Sequence, residues 1–453
     1  MPPPPAGGWP VLVPEILLHI FNHLHGQGPA LLAAIRVNRH WFSCGTDVLW
    51  RRPEWEALVA LPPDRRQFYA HKIEHLSFNG DEQSSYHERF KDLAFTNLKS
   101  ISLDSYRPGP DGYRLEQYLS PSLESFALFG ANITESVLLQ LQTTCWRLRA
   151  ILIDNPGPNI TPSSFSDCIR ACEHLQDVQF MYGMDRLLTD ELLIHLAQRP
   201  KLTRLRVGKP WSDELMQRIS EQVSTPFPAL RSLEVSVASQ AVPTLIGLID
   251  SVTELTVSVL DSEADVIEAL SSMTELVSLT VSFATSRQLS RKDILAVKRL
   301  SKLKVLATEA LDVQVPAIHE GFNDADFDDV VSSLPALRQL QLTIQCDLSV
   351  AAIMSLSKHC PLVERLELVP VLDVQTLQAH AGNSVILPEL RELSLGGFGP
   401  PGEDNERATP EHLVSLLRAW FPRLAQLDTL NGDEYSEELC DAFETTISQR
   451  VCS

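Results

Sequence analysis

The chain has 453 residues, 44% of them apolar, and 38 Lys and Arg against 58 Asp and Glu give a formal net charge of −20. No apolar run approaches the roughly 18 residues of a membrane-spanning helix, and the acid excess argues against a phosphate-backbone partner, which demands a basic stripe. A protein partner is expected, with no nucleic acid and no membrane.

The opening Met1-Pro-Pro-Pro-Pro-Ala-Gly-Gly has neither the basic segment nor the apolar core of a signal peptide. Residues 1–10 read as a disordered N-terminus. The expected address is cytoplasmic, nuclear or both, and reduced cysteines suit it.

At residue 11 the texture changes. Val13-Pro14-Glu15-Ile16-Leu17 starts a helix at Pro14, since Pro suits a first helical position. Ile16, Leu17, Ile20, Phe21 and Leu24 recur at helical spacing and share one face. A Gly26-Gln-Gly28-Pro29 break follows, then Leu31-Leu32-Ala-Ala-Ile35-Arg-Val37, then Asn38-Arg-His-Trp41-Phe42 and Leu49-Trp50-Arg51. Three short helices over residues 11–56 bury little surface, so such a module gains stability by laying apolar side chains on a partner. Residues 57–72 read as a linker helix. His19 and His23 have a spacing that zinc sites use, but no third ligand can be named, and a solvated face is the better reading. No metal or cofactor is expected anywhere in the chain.

These motifs resemble the F-box family, whose pattern is a Leu-Pro start, an acidic residue, an apolar helix, then Val-Cys-Arg-x-Trp and Leu-Trp. Val13-Pro14-Glu15-Ile16-Leu17, Val37-Asn38-Arg39-His40-Trp41 and Leu49-Trp50-Arg51 match in order and approximate spacing. Val13 replaces Leu, Asn38 replaces Cys, and Glu15 follows the proline directly. The resemblance implies a non-catalytic substrate receptor of a Skp–cullin–F-box ubiquitin ligase. The F-box would dock a Skp-type adaptor, and through it a cullin, while the rest of the chain holds a protein substrate. Carried over by position, Pro14, Ile16, Leu17, Ile20, Leu24, Leu32, Val37 and Trp41 are adaptor-contact or module-core positions.

From Ile73 onward one pattern recurs about fourteen times: apolar, two variable, apolar, one variable, apolar. It reads Leu98-Lys-Ser-Ile101-Ser-Leu103, Leu123-Glu-Ser-Phe126-Ala-Leu128, Leu148-Arg-Ala-Ile151-Leu-Ile153 and Leu202-Thr-Arg-Leu205-Arg-Val207, with imperfect copies as far as Leu424. Alternation in the second half of each copy predicts a short strand, and capping pairs such as Thr161-Pro162 and Thr409-Pro410 predict helices between strands. The fold class expected is an α/β solenoid, a leucine-rich-repeat horseshoe of about fourteen irregular repeats over residues 73–432 behind a three-helix F-box. This extends the resemblance to the leucine-rich subclass of the family.

Cys145, Cys172 and Cys360 stand three residues before a repeat's first apolar residue and read as small buried residues ending a helix. Two repeats are stretched, one by Glu309 to Val330 and one by Gly396 to Gly402, and both stretches read as long loops. Ser262 with Asp265 reads as an imperfect capping box. Residues 433–453 read as a terminal helix, from Glu434, covering the last repeat.

Aromatic side chains dominate interface energetics, and several fall at strand ends: Tyr106, Tyr113, Phe129, Tyr182, Trp211 and Phe398. Tyr106, Phe129 and Tyr182, with Arg204, Arg206 and Trp211, are the substrate-binding candidates. Arg204 and Arg206 beside Trp211 would take an acidic or phosphorylated segment. A competing reading sets a basic substrate against Glu234, Glu254 and the stretch from Glu309 to Val330. The alternative to a ligase subunit is a leucine-rich-repeat interaction scaffold outside any ubiquitin ligase. An enzyme is not expected, because no nucleophile or paired acid and base stands out.

Overall fold

The computed structural model describes residues 12–451 apart from 25, 79–83, 107–114, 262–263, 285–289, 311–316, 383, 400–408 and 431–433. The N-terminal segment 1–10, Tyr113 and Ser262 lie outside the described residues. The chain divides into two compact units, residues 1–195 and 196–453.

Unit 1 opens with three helices, α1 (Pro14–His23), α2 (Gly28–Ala34) and α3 (Arg39–Leu49). Pro14 occupies the first turn of α1, where a missing N–H costs nothing. Asn38 caps α3, its side-chain oxygen accepting the Trp41 N–H at 2.9 Å. Leu17, Phe21, Leu31, Cys44 and Val48 form the module's core, with Leu18, Leu24, Ala34, Trp41 and Leu49 packed around it. The expected single linker helix is instead two, Trp55–Val59 and Pro63–Ala70. Pro62-Pro63 divides them, because neither proline donates a main-chain hydrogen bond and each pushes the preceding residue out of the α region.

Among the described residues five parallel strands follow in unit 1, at His75–Phe78, Ser100–Tyr106, Ser125–Ala131, Ala150–Asp154 and Asp177–Phe180. They pair in chain order, with His75, Ser100, Ser125, Ala150 and Asp177 in one row. At each strand start, two consecutive N–H groups share one carbonyl of the preceding repeat. Lys99 and Ser100 donate to Glu74, Glu124 and Ser125 to Lys99, and Arg149 and Ala150 to Glu124. The first strand obeys the same rule: Glu74 and His75 both donate to the Arg51 carbonyl at 3.0 Å. Arg51, two residues beyond the end of α3, therefore supplies the rung that a preceding repeat would.

Unit 2 repeats the arrangement, its described residues forming nine parallel strands that pair in chain order, from Arg204–Val207 to Gln426–Thr429. Helices lie between most strands, as at Asp213–Gln222, Val350–His359 and Pro410–Trp420. Along the strands, core residues alternate with outward ones, so Leu205 and Val207 are buried while Arg204 and Arg206 face out. Each unit is an open leucine-rich-repeat solenoid.

The helix ends fall where the cysteines stand. Cys145, Cys172 and Cys360 are C-cap residues, all buried. Burial pushes the Cys145 thiol up to about 12 and that of Cys360 to about 11, which keeps both protonated and unreactive. Thr161 caps the Pro162–Ala171 helix through its hydroxyl, as its position predicts.

The two stretched repeats depart from expectation. Past residues 311–316, the first supplies a strand, Ala317–Asn323, that pairs with Ile344–Asp347 in a separate two-stranded sheet. It continues as a helix, Asp324–Ser332, whose N-terminal N–H groups on Ala325 and Asp326 bond the Asn323 side chain. In the second, Gly396 to Gly399 lie in the Glu392–Gly399 strand rather than in a loop, and Phe398 is buried. The neighbouring strand bulges between Leu368 and Val371, and a side chain at Gly396 would meet the Val369 carbonyl at 1.6 Å. Glycine here admits a neighbouring backbone rather than making a turn. The expected capping box includes Ser262, which lies outside the described residues; its partner Asp265 precedes the Val266–Leu270 helix and makes no side-chain cap bond there. The terminal helix, Glu434–Val451, buries Leu439 and Phe443, and its Ser436 hydroxyl accepts the Phe398 N–H at 3.0 Å.

Candidate functional site

The apolar residues of α1 do not share one environment. Leu17 and Phe21 point into the module core and are wholly buried, while Ile16 and Ile20, one position earlier in each pair, are 48% and 39% exposed. A step of one residue turns about 100° around the helix axis, enough to move a side chain from the core to the surface. Leu32, at 43%, and Val37, at 60%, are exposed as well, as is Val13 at 51%. Of the eight positions singled out in this module, Pro14, Ile16, Ile20, Leu32 and Val37 are exposed. Leu17 is core, and Leu24 and Trp41 are half-buried against it. Leu12 and Phe42, exposed and apolar too, were not singled out by periodicity. The His40 ring ties the Leu12 carbonyl to α3 at 2.8 Å.

A module of about 40 residues with this much aliphatic surface in water is built to be covered. Residues 14–54 match the F-box-like family model. These residues form an F-box-like domain, and a leucine-rich-repeat fold follows it. No curated protein matches its sequence. Similar solved structures include an internalin from Listeria monocytogenes, 16% identical over 81% of this chain and 89% of that one with a TM-score of 0.42. The Rad7 and Elc1 complex of yeast is 14% identical over 93% of this chain and 94% of that one, with a TM-score of 0.42. The leucine-rich repeat-containing protein LegL7 from Legionella pneumophila is 11% identical over 82% and 98%, with a TM-score of 0.29. An F-box with a repeat solenoid behind it makes this chain a protein-interaction adaptor.

Among the described residues no group of three or more His, Cys, Asp or Glu side chains could hold a metal ion. His19 and His23 bond each other, ring nitrogen to ring nitrogen, at 3.3 Å.

The candidates in the repeats are scattered. Tyr106 ends the Ser100–Tyr106 strand, and its side chain lies outside the described residues. Phe129 and Tyr182, both in unit 1, are exposed, at 39% and 67%. Arg204 and Arg206 face outward from the first strand of unit 2. Trp211 does not join them. It is 1% exposed, stacks on Phe227 with ring centres 5.7 Å apart, and donates its main-chain N–H to Ser236 at 2.9 Å. A bulky ring in the turn before a helix fills the repeat core, so the expected aromatic anchor at this corner is a packing residue. The expected cationic spot is altered too, because Arg206 bonds the Glu234 carboxylate.

Proposed function

We propose that this chain is the substrate-recognition subunit of a Skp–cullin–F-box ubiquitin ligase, acting in the cytoplasm or nucleus. The exposed aliphatic face of Ile16, Ile20, Leu32 and Val37 docks a Skp-type adaptor, and through it a cullin. The repeats hold a protein substrate. The receptor makes no covalent bond. Its contribution is to raise the effective concentration of substrate lysines near a charged conjugating enzyme.

The observation that carries this reading is the split along α1. Leu17 and Phe21 already complete the module's own core, so Ile16 and Ile20 are left over from folding. Residues left over in this way are the ones a partner covers.

Co-expression with a Skp-type adaptor, followed by affinity purification, tests it. Wild type should bring down the adaptor, and Ile16→Asp with Ile20→Asp should lose it while keeping the wild-type circular dichroism spectrum and melting transition. Retention of adaptor by the folded double variant would sink the reading and leave an interaction scaffold outside any ligase.

A further inference from the structure

Where the strands of unit 1 run out, the turns of successive repeats enclose a cleft of about 450 Å³ lined by Ser105, Gly130, Asn132, Asn155, Gly183 and Arg186, among others. Its walls are fixed from repeat to repeat. The Ala131 N–H donates to the Asn155 carbonyl at 2.9 Å, the Asn155 N–H to the Tyr182 carbonyl at 2.7 Å, and the Ile133 N–H to Pro156 at 3.1 Å. The Asp154 carboxylate accepts the N–H groups of Met181 and Tyr182 at 2.8 and 3.1 Å.

Three polar side chains remain underused on these walls. The Asn132 side-chain oxygen lies 2.3 Å from where a Cβ on Gly157 would stand, and that of Asn155 lies 2.2 Å from the same place on Gly183. Both glycines have positive φ, 83° and 67°, so any other residue would be strained there and would displace the carboxamide. Among the described residues neither carboxamide has a hydrogen-bond partner. The Arg186 guanidinium donates to the carbonyls of Ile160 and Gly157, which spends two of its five N–H groups. Among the described residues it has no carboxylate partner, and it is the one charged residue in the lining. Asp154 does not compete for it, being occupied by main-chain N–H groups, and Asp104 accepts the Ser105 hydroxyl at 3.2 Å. The exposed rings of Phe129 and Tyr182 stand next in sequence to the lining residues Gly130 and Gly183.

We propose that this cleft binds an extended acidic peptide segment. Main-chain amides of the peptide pair with the Asn132 and Asn155 carboxamides, which offer the donor and acceptor that a peptide group needs. A carboxylate side chain meets Arg186, and apolar side chains flanking it rest on Phe129 and Tyr182. Walls already fixed by main-chain bonds have little left to order, which favours affinity. The proposal names the substrate class of the receptor described above and rests on that reading.

A random dodecapeptide library selected on the full-length chain tests it. Enriched peptides should share an acidic residue flanked by apolar ones. By fluorescence anisotropy they should bind about tenfold or more weakly to Asn155→Ala with Tyr182→Ala. Asn132→Ala, which removes no loop hydrogen bond, serves as the second variant, and thermal melting verifies that all variants fold. Absence of binders, binders without an acidic position, or equal binding to folded variants overturns the proposal. Adaptor co-purification, measured on the same variants, should be unchanged, so failure of the cleft and failure of the ligase reading give different results.

Discussion

Arg206 and Glu234 face each other across adjacent parallel strands, with Nε and carboxylate oxygen 2.5 Å apart. Two opposite expectations, an acidic segment on Arg206 and a basic one on Glu234, thus invoke the two halves of one ion pair. The pair is partly exposed, 40% and 24% by side chain, so water screens it. A double-mutant cycle with alanine at both positions, read by urea unfolding, should give a coupling of about 0.2–1 kcal/mol. Arg206→Glu is a poor test of substrate capture, since it sets like charges opposite each other and destabilises the sheet.

Gly396→Ala should be among the more damaging single changes in unit 2. The added methyl would stand 1.6 Å from the Val369 carbonyl oxygen, a main-chain atom that cannot swing away. A loss of about 3 kcal/mol is expected, seen as a lower urea midpoint. Gly399→Ala, whose nearest neighbour stands at 3.6 Å, is the control and should cost less than about 1 kcal/mol.

Neighbouring residues on α1 should separate folding from docking. Leu17→Ala empties a fully buried position and should cost about 2–5 kcal/mol. Ile16→Ala, on the exposed side, should stay within roughly 0.5 kcal/mol of wild type. Thermal melts of the full chain distinguish the two, and equal losses would mean that Ile16 is not a free surface residue.

His87 gives the first unit an acid-sensitive point. It is 4% exposed, its Nδ1 lies 2.8 Å from the Tyr118 hydroxyl, and burial lowers its pKa to about 4. The folded chain holds this imidazole neutral. Below the ordinary value near 6.5 the unfolded chain takes up a proton that the folded chain refuses. Stability is therefore fully present above pH 6.5 and falls as pH drops towards 4, by about 3 kcal/mol in all. Urea unfolding at several pH values should show this slope in wild type and a shallower one in His87→Gln.

Much of the fold was legible because repeat periodicity and helix punctuation are local. Thr161-Pro162, the cysteines at helix ends and the terminal helix from Glu434 all depend on neighbours within a few residues. What escaped notice depends on contacts between repeats. Trp211 reads as an exposed turn aromatic until Phe227 is seen stacked on it. Gly396 reads as a loop glycine until the bulge at Val369-Pro370 is known. Ile16 and Leu17 are equally apolar, and only the docking of α3 on α1 decides which is core. Asn132 stands nine residues after Leu123 and Asn155 seven after Leu148, so they share no fixed place in the repeat and its period picks out neither.

The Arg51 carbonyl has a consequence for anyone rebuilding this protein. Around it the Trp50 ring lies 4.3 Å from that of Tyr69, Lys72 pairs with Asp47, and the Trp55 and Phe78 rings stack at 6.5 Å. The front module is thus joined to the first strand by main-chain bonds and ring contacts, and whatever grips α1 bears also on the start of that strand. A chimera joined at residue 54 would strand two amide groups of Glu74 and His75 without their acceptor. The seam belongs beyond Phe78, where the transplanted piece carries its own first rung.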